Sequence, residues 1–219
     1  MSCVCLWIPG SPTGAAASAD APPHTGATPG DRASSRSALV ATLLAVAPHV
    51  AVETRGEGSG TRYWVDARGL PVRRVARAVL RLAREAGAAD ARVGVAGTAA
   101  AAELAATAAP DTPRPDGEPP ITVVPPGTDA SFLAPLPLAA LAAALVGDGE
   151  GGVGAAAVTT LVAALRDVGL ETCGDLAQLT RAAVELRFGA PGVALWRLAR
   201  ADATLRTRQP LALFPPRPR

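Results

Sequence analysis

The segment between residues 62 and 96 constrains the fold most strongly, because it contains a strand, a tight turn, a helix and a second strand in close succession. Tyr63 to Asp66 is a run of β-forming residues, and Arg68-Gly69 closes it as a turn. Pro71 is typical of the first position of a helix. Arg92 to Ala96 then forms the second strand. A strand, helix and strand in this order predict a helix packed on a sheet.

The helix after Pro71 carries two stripes and stops at Gly87. The first stripe is apolar and would face the sheet; it contains Val72, Val75, Ala76, Val79, Leu82 and Ala83. The second stripe is basic and contains Arg73, Arg77, Arg81 and Arg84. A basic stripe can contact phosphate, but a solvated helix face is the commoner arrangement. The sequence by itself therefore favours the solvated face.

The residues upstream supply the rest of a sheet. Cys3 to Ile8 is a first strand, whereas residues 9–36 are dominated by Gly, Pro, Ala and Ser and are predicted to be disordered. A helix over Ser37 to Ala47 follows, and Val50 to Thr54 and the strand ending at Asp66 form a β-hairpin across a Gly-rich turn. The order strand, helix, strand, strand, helix, strand predicts an α+β fold of the ferredoxin-like βαββαβ type.

The chain changes character near residue 127. Thr98 caps another helix that runs to Ala108, and a linker rich in Pro and Asp precedes a strand at Ile121 to Val124. Beyond it the pattern is helical. We therefore predict an α/β domain over 37–127, a small helical domain over 128–208 and a Pro-rich tail over 209–219.

Composition excludes several classes of function. A net charge of +2 is too small to indicate nucleic-acid binding by itself. All 21 basic residues are Arg. Cys3, Cys5 and Cys173 show neither a disulfide framework nor the spacing of a zinc site, so the sequence predicts a reduced cytoplasmic protein. No apolar run reaches the ~20 residues of a membrane span, and no Gly-x-Ser-x-Gly elbow of a hydrolase occurs.

Gly-rich turns in the helical half are candidate DNA contacts. Helices over Leu138 to Val146 and Ala155 to Val168 flank the turn 151–154, where Gly152, Val153 and Gly154 could present backbone N–H groups to phosphate. A looser second candidate contains Gly189 and Gly192. A plain interhelical loop is the alternative for both turns.

Several motifs in order resemble Y-family DNA polymerases, with the ImuB branch most similar. They are RVGVAGTAAAAELAATAAP, ITVVPPGTDASFLAPLPLAAL, the GGVG turn, LRDVGLETCGDLAQL and FGAPGVALWRLARA. The resemblance covers about Val50 to Arg208 and extends to the first strand. It implies a ferredoxin-like palm, a helical thumb with helix-hairpin-helix turns, and a role in DNA repair or translesion synthesis.

The same resemblance implies that catalysis is lost. Active members hold two Mg²⁺ ions with an acid at the end of the first strand and an adjacent Asp-Glu pair. The corresponding positions here are Leu6 to Pro9, without an acid, and Thr61 and Arg62. Asp66 matches a family Asp that binds no metal. We therefore expect no metal site and no catalytic residue; Mg²⁺ would be a cofactor only if residual polymerase activity exists.

The resemblance also concerns neighbouring parts and partners. Residues 9–36 stand where the family has its fingers, and the chain is expected to be truncated before the little finger. The tail residues Gln209, Leu211, Leu213 and Phe214 are similar to peptides that dock on the bacterial sliding clamp, although a plain linker is the favoured interpretation. The expected partners are primer-template DNA, the sliding clamp and other mutasome proteins, with no membrane.

The sequence thus supports one hypothesis and leaves two alternatives open. The hypothesis is an accessory protein of DNA repair that binds DNA without nucleotidyl transfer of its own. The first alternative is a residual DNA polymerase that uses acids such as Asp66 and Glu53. The second is an interaction module, or a truncated gene product, that does not bind DNA.

Overall fold

The computed structural model describes residues 3–10, 29–54, 60–67, 69–107, 119–146 and 154–202, with the backbone alone over 29–34. Five strands, eight α-helices and one 3-10 turn occur in these ranges. They are β1 (Cys3–Ile8), α1 (Pro29–Leu44), β2 (Val50–Thr54), β3 (Thr61–Asp66), α2 (Val72–Glu85), β4 (Arg92–Ala96), α3 (Ala99–Thr107), β5 (Ile121–Val123), α4 (Asp129–Leu133), α5 (Leu138–Ala142), the 3-10 turn Ala143–Leu145, α6 (Ala155–Arg166), α7 (Cys173–Gln178) and α8 (Arg181–Ala199).

The five strands form one sheet in the order β2-β3-β1-β4-β5. Strand β1 runs antiparallel to both β3 and β4, and β2 and β3 form the predicted hairpin. This is the arrangement of a βαββαβ unit, so the predicted α+β class is confirmed. Strand β5 is added parallel to β4, and α3 provides the crossover between them.

Helix α1 begins earlier than the sequence predicted. It starts at Pro29, so residues 29–36 belong to a helix and the prediction of disorder over 9–36 is wrong for them. Residues 11–28 lie outside the described part. Disorder was predicted because residues 9–36 contain almost no large apolar side chain. Once Leu39, Val40 and Leu43 anchor the last turns in the core, the helix extends backwards at the cost of one ordered residue per added hydrogen bond.

The sheet has two faces of different chemistry, because successive residues of a strand point to opposite sides. We call the first the back face; its cross-strand neighbours are almost all apolar, namely Val50, Val65, Val4 and Val95 in one row and Val52, Tyr63, Leu6 and Val93 in the next. The other we call the front face. Its rows hold Ala51, Trp64, Cys5 and Gly94, and then Glu53, Arg62, Trp7 and Arg92.

Helices α1 and α2 cover the back face. The buried positions of α2 are Val75, Ala76, Val79, Leu80 and Ala83, which confirms the predicted direction of its apolar stripe. The helix ends in the manner predicted, because Gly87 has a φ of +90° and its N–H donates to the Arg84 carbonyl at 2.9 Å. This side of the sheet is an ordinary apolar core.

Helix α3 covers the front face and lies unusually close to it. A methyl group placed on Gly94 would collide with the backbone of Ala102 and Ala106, so only glycine allows this approach. Thr98 accepts the Ala101 N–H at 3.4 Å and caps α3 as predicted. The α3 core continues without interruption into apolar residues of α4 to α8, including Leu133, Leu141, Leu165 and Leu195. The domain division near residue 127 remains a prediction.

Polar contacts organise the helical half. Thr172 and Asp175 form a capping box at the start of α7, in which the Asp175 carboxylate accepts the Thr172 N–H at 2.9 Å. These bonds hold the pKa of Asp175 below its usual value. The indole of Trp196 donates to the Leu179 carbonyl at 2.9 Å, which ties α8 to the end of α7. In the described ranges no helix is long and apolar enough to cross a membrane.

Candidate functional site

The end of the front face where β1 finishes and β3 begins is the place where the family resemblance expects catalytic acids. Four side chains cross the sheet there in one row, from Glu53 on β2 through Arg62 and Trp7 to Arg92 on β4. Thr61 is the neighbour of Arg62 in β3 and therefore points to the back face. The two positions that correspond to the family's Asp-Glu pair thus lie on opposite sides of the sheet.

Arg62 is buried in an ion pair with α3. Its Nε atom donates to Glu103 Oε1 at 2.8 Å, and the two side chains are only 9% and 6% exposed. Charge-assisted hydrogen bonds of this length are strong, and burial removes the competing water. Because Arg62 belongs to the sheet and Glu103 to the helix above it, the pair fixes α3 over the end of the front face.

Aromatic side chains contact the two charged residues at the ends of this row. The guanidinium of Arg92 lies 5.6 Å from the centre of the Trp7 ring, which is cation–π distance. Glu53 accepts a hydrogen bond of 3.4 Å from the indole nitrogen of Trp64. Each of the two acids on this side, Glu53 and Glu103, therefore already holds a polar partner of the protein.

Gly60 closes the same end of the sheet. Its φ of +76° favours glycine, and a Cβ atom added there would lie 2.5 Å from the Ile8 carbonyl oxygen and 2.8 Å from the indole nitrogen of Trp7. The start of β3 is thus pressed against the end of β1. The sequence placed this glycine in a generic Gly-rich turn and did not single it out.

A divalent cation does not fit the residues at this end. Mg²⁺ prefers carboxylate oxygens and water, whereas this end presents the guanidinium groups of Arg62 and Arg92. Its two acids already have polar partners, because Glu53 on the row accepts from Trp64 and Glu103 on α3 pairs with Arg62. Asp66 could not join Glu53 in a shared site, because it lies four residues further along β3 than Arg62, about 13 Å away. In the part of the chain that the structure describes, no three His, Cys, Asp or Glu side chains are grouped to hold a metal ion.

Asp66 belongs to the opposite end of the front face. It pairs with Cys3 across β1 and β3. Burial, and then the carboxylates of Asp66 and Asp129, raise the pKa of the Cys3 thiol to about 11. Asp129 is itself buried, accepts the Gly97 N–H at 3.1 Å and joins the end of β4 to the start of α4. The acids that the sequence suggested for residual catalysis therefore sit at two separate ends.

Two solved structures are similar to this architecture. A DinB family error prone DNA polymerase from Sulfolobus solfataricus superposes with a TM-score of 0.60 and 15% identity, over 97% of this chain and 69% of that one. The fold is therefore similar to the matched part of a DinB-family DNA polymerase. A ternary complex of Dbh with partially disordered substrates has a TM-score of 0.50 and 18% identity, over 77% of this chain and 45% of the Dbh chain.

The likeness to DinB and Dbh is one of structure. No family model and no curated protein sequence matches the chain. The sheet corresponds to a polymerase palm, as the resemblance implied, and we use that word for it below. The chain spans less than half the length of Dbh. The ImuB branch and the predicted truncation therefore remain predictions.

The structure places only part of the predicted α5–α6 turn. Gly152 and Val153 lie outside the described residues. Gly154 is exposed and precedes α6 with extended backbone angles, φ −60° and ψ 145°. Because the N-cap residue is glycine, no side chain caps α6, and the first turn of the helix carries no acid. Among the described residues the start of α6 is thus exposed, while its contact with DNA and the helix-hairpin-helix pairing stay predictions.

The second predicted turn has a different form. The helix after it begins at Ala190 rather than Val193, and Gly189 alone breaks α8, with φ 61° and ψ −159°. Gly192 is inside the helix, buried against the Cβ atom of Phe188. Its lack of a side chain serves close packing, so the prediction that Gly192 offers its backbone to DNA is wrong. Gly189 is exposed, and its role stays a prediction.

The predicted clamp peptide lies outside the described residues, because Gln209, Leu211, Leu213 and Phe214 fall beyond residue 202. Glu103, Arg92 and Trp7 were not among the predicted site residues. Glu103 is the only acid in the Ala-rich helix α3, and a lone charge among seven buried positions was a usable signal of an internal partner. Arg92 and Trp7 gave no such signal, since their contact depends on strand register.

Proposed function

We propose that this chain is a Y-family polymerase-like protein of the ImuB branch that binds primer-template DNA in repair or translesion synthesis without transferring nucleotides itself. The observation that carries the proposal is the buried Arg62–Glu103 pair on a DinB-type palm. Family resemblance expects a metal-binding acid at position 62. A guanidinium there repels the cation that such an acid would bind.

The buried pair supports a stable rather than an incidental loss of catalysis. Removing one member of a buried ion pair leaves the other charge desolvated, so the two residues depend on each other. A single reversion of Arg62 to an acid would place two carboxylates together at Glu103. The palm would thus have to change at two positions, 41 residues apart, before a metal site could return.

DNA contact is proposed for the helical half. The start of α6 exposes backbone N–H groups behind Gly154, and a helix N-terminus with no acid in its first turn attracts phosphate. Such contacts are independent of base sequence. Because few phosphates are involved, binding should be weak, and it should decline as salt is added with a shallow slope, since that slope grows with the number of phosphates contacted.

The binding half of the proposal is tested by fluorescence anisotropy with labelled primer-template DNA at low and physiological salt. Replacing Gly152 and Gly154 together by Leu should lower affinity about tenfold, because bulky side chains keep the phosphate from the backbone. Ala163→Leu is the matched control, since it adds similar bulk to an exposed position of the same helix. Unchanged binding by the double variant would remove the α6 assignment.

The catalytic half is tested by primer extension with Mg²⁺ or Mn²⁺. We expect no incorporation above a sample without protein. Incorporation that disappears in Asp66→Ala or Glu53→Ala would show instead that the chain is a residual polymerase. Unchanged incorporation in both variants would indicate a contaminating enzyme and would require the measurement on repurified protein.

Partner binding is the third part of the proposal. Purified sliding clamp should be retained by the full chain and released when residues 209–219 are deleted. Leu213→Ala with Phe214→Ala should have the same effect as the deletion, because apolar anchors provide most of the affinity of such peptides. Equal retention with and without the tail would show that the segment is only a linker.

A further inference from the structure

Helix α2 has the highest net charge of the described helices, and its charges lie on its outer face. Five arginines, at positions 73, 74, 77, 81 and 84, are all exposed, and Glu85 is the only acid of the helix. Helix α2 therefore carries a net charge of +4, twice the +2 of the whole chain. Positive charge is thus concentrated in this helix and does not follow from the composition of the whole chain.

The five arginines form one continuous stripe. At ~100° per residue they fall within an arc of about 100°, and at 1.5 Å per residue they extend over about 16 Å. We call this surface the arginine stripe. It is opposite the residues of α2 that pack on the back face, namely Val75, Ala76, Val79, Leu80 and Ala83. The stripe thus points away from the sheet and from α3.

The stripe is not arranged for helix stability. Arg73 and Arg77, and again Arg77 and Arg81, are like charges four residues apart, and Arg73 and Arg74 lie at the positive end of the helix dipole. In this helix the single ion pair among described residues is Arg81–Glu85, a long contact of 3.6 Å between two mostly exposed side chains. An exposed helix face that serves only solubility would carry both acidic and basic residues.

The chemistry of the stripe favours a polyanion over a protein partner. Protein interfaces are centred on buried apolar or aromatic anchors. The one exposed large apolar residue described next to α2 is Leu70, which is 40% exposed and stands alone. A straight row of guanidinium groups without such anchors matches the phosphate backbone of a nucleic acid.

We propose that the arginine stripe binds the nucleic-acid phosphate backbone, independently of sequence, as a second contact surface on the side of the palm away from α3. The proposal rests on the proposed DNA-binding function only for the nature of the polyanion. The two contacts are on different elements, α2 and the start of α6. A protein with both could hold two segments of one strand or two separate molecules.

The test is the salt dependence of binding to short labelled single-stranded and duplex DNA. Arg73→Gln with Arg77→Gln should weaken binding about 5- to 10-fold at low salt and reduce the slope of log K against log salt by about 1.8 on duplex DNA. The control is Arg166→Gln with Arg181→Gln, which removes the same charge from exposed positions of α6 and α8. The control should bind nearly as the unmodified chain does.

The possible outcomes separate this proposal from the preceding one. If the stripe variant binds like the control while the Gly152/Gly154 double variant loses binding, the arginine stripe is not a binding surface and the α6 contact stands. The reverse result supports the stripe and removes the α6 site. If polyglutamate of equal charge competes as well as DNA, the stripe recognises acidic protein and its assignment to nucleic acid is overturned. No binding by the unmodified chain overturns both proposals.

Discussion

The back and front faces belong to the same five-stranded sheet, yet they bury very different residues. On the back face, Val, Leu, Ile and one Tyr meet the apolar stripes of α1 and α2. On the front face, small residues let α3 come close, and an ion pair and two aromatic contacts fill the end of the sheet. On the back face an apolar residue could be replaced by another of similar volume, whereas the contacts of the front face depend on particular residues.

This contrast bears on the proposed absence of nucleotidyl transfer. Helix α3 and the Arg62–Glu103 pair occupy the end of the front face where the family resemblance expects metal-binding acids. We therefore expect the contacts of the front face to contribute to stability through particular residues, and those of the back face through apolar volume. Four predictions test this difference between the faces.

The largest effect is expected for the ion pair of the front face. Glu103→Ala should lower the free energy of unfolding by about 3–5 kcal/mol, because it leaves the buried Arg62 without its carboxylate. Replacing both residues, as Arg62→Met with Glu103→Leu, should recover most of the loss. Urea unfolding of Arg62→Met, Glu103→Leu and the double variant measures the coupling. A double variant as unstable as the sum of the singles would show that the pair is not coupled.

A comparable cost on the back face should follow from loss of volume alone. Leu6 is fully buried, and Leu6→Ala should destabilise the protein by about 2–5 kcal/mol through lost burial and a cavity. Leu6→Met keeps the volume and should cost less than about 1.5 kcal/mol. Equal losses for Ala and Met, measured by urea unfolding, would show that the back face is as specific in its packing as the front.

Gly94 tests the close approach of α3. Gly94→Ala should cost about 1–3 kcal/mol, since the added methyl meets backbone atoms of Ala102 and Ala106 that cannot rotate away. Gly154→Ala is the control, because its added Cβ has open space and its φ is −60°. The same thermal unfolding temperature for the two variants would contradict the tight contact between α3 and β4.

The smallest effect is a loss of stability in alkali. Burial, followed by the carboxylates of Asp66 and Asp129, raises the pKa of Cys3 from 9.0 to about 11 on the front face. Burial raises the pKa of Tyr63 from 10.0 to about 12 on the back face. The folded chain then binds more protons than the unfolded chain above pH 9, so stability should be complete below pH 9 and fall as the pH rises further.

The contribution of each face to this loss is separable by variants. Cys3→Ala and Tyr63→Phe should each remove part of the alkaline loss, on the order of 1 kcal/mol by pH 11. Urea midpoints at a series of pH values measure it. An alkaline loss that is unchanged in both variants would place its origin in other groups.

Much of the palm could be predicted because its signals are local. The hairpin of β2 and β3, the apolar stripe of α2 and the glycine stop at Gly87 follow from periodicity and turn chemistry over a few residues. The start of α1 could not, since a helix with few apolar residues extends from an end that is anchored elsewhere. The role of Gly192 was missed because packing against Phe188 is a tertiary property.

By itself, the sequence determined the order of the strands and helices, the class of the fold and the absence of acids at Thr61 and Arg62. Only the tertiary structure decided what replaced those acids. Glu103 stands 41 residues from Arg62, and nothing in the spacing links them. The two charges come together because of the register of β3 beside β1 and the close packing of α3 on Gly94. Both side chains are buried, and an unpaired charge is unfavourable in a region without water, so burial favours their pairing.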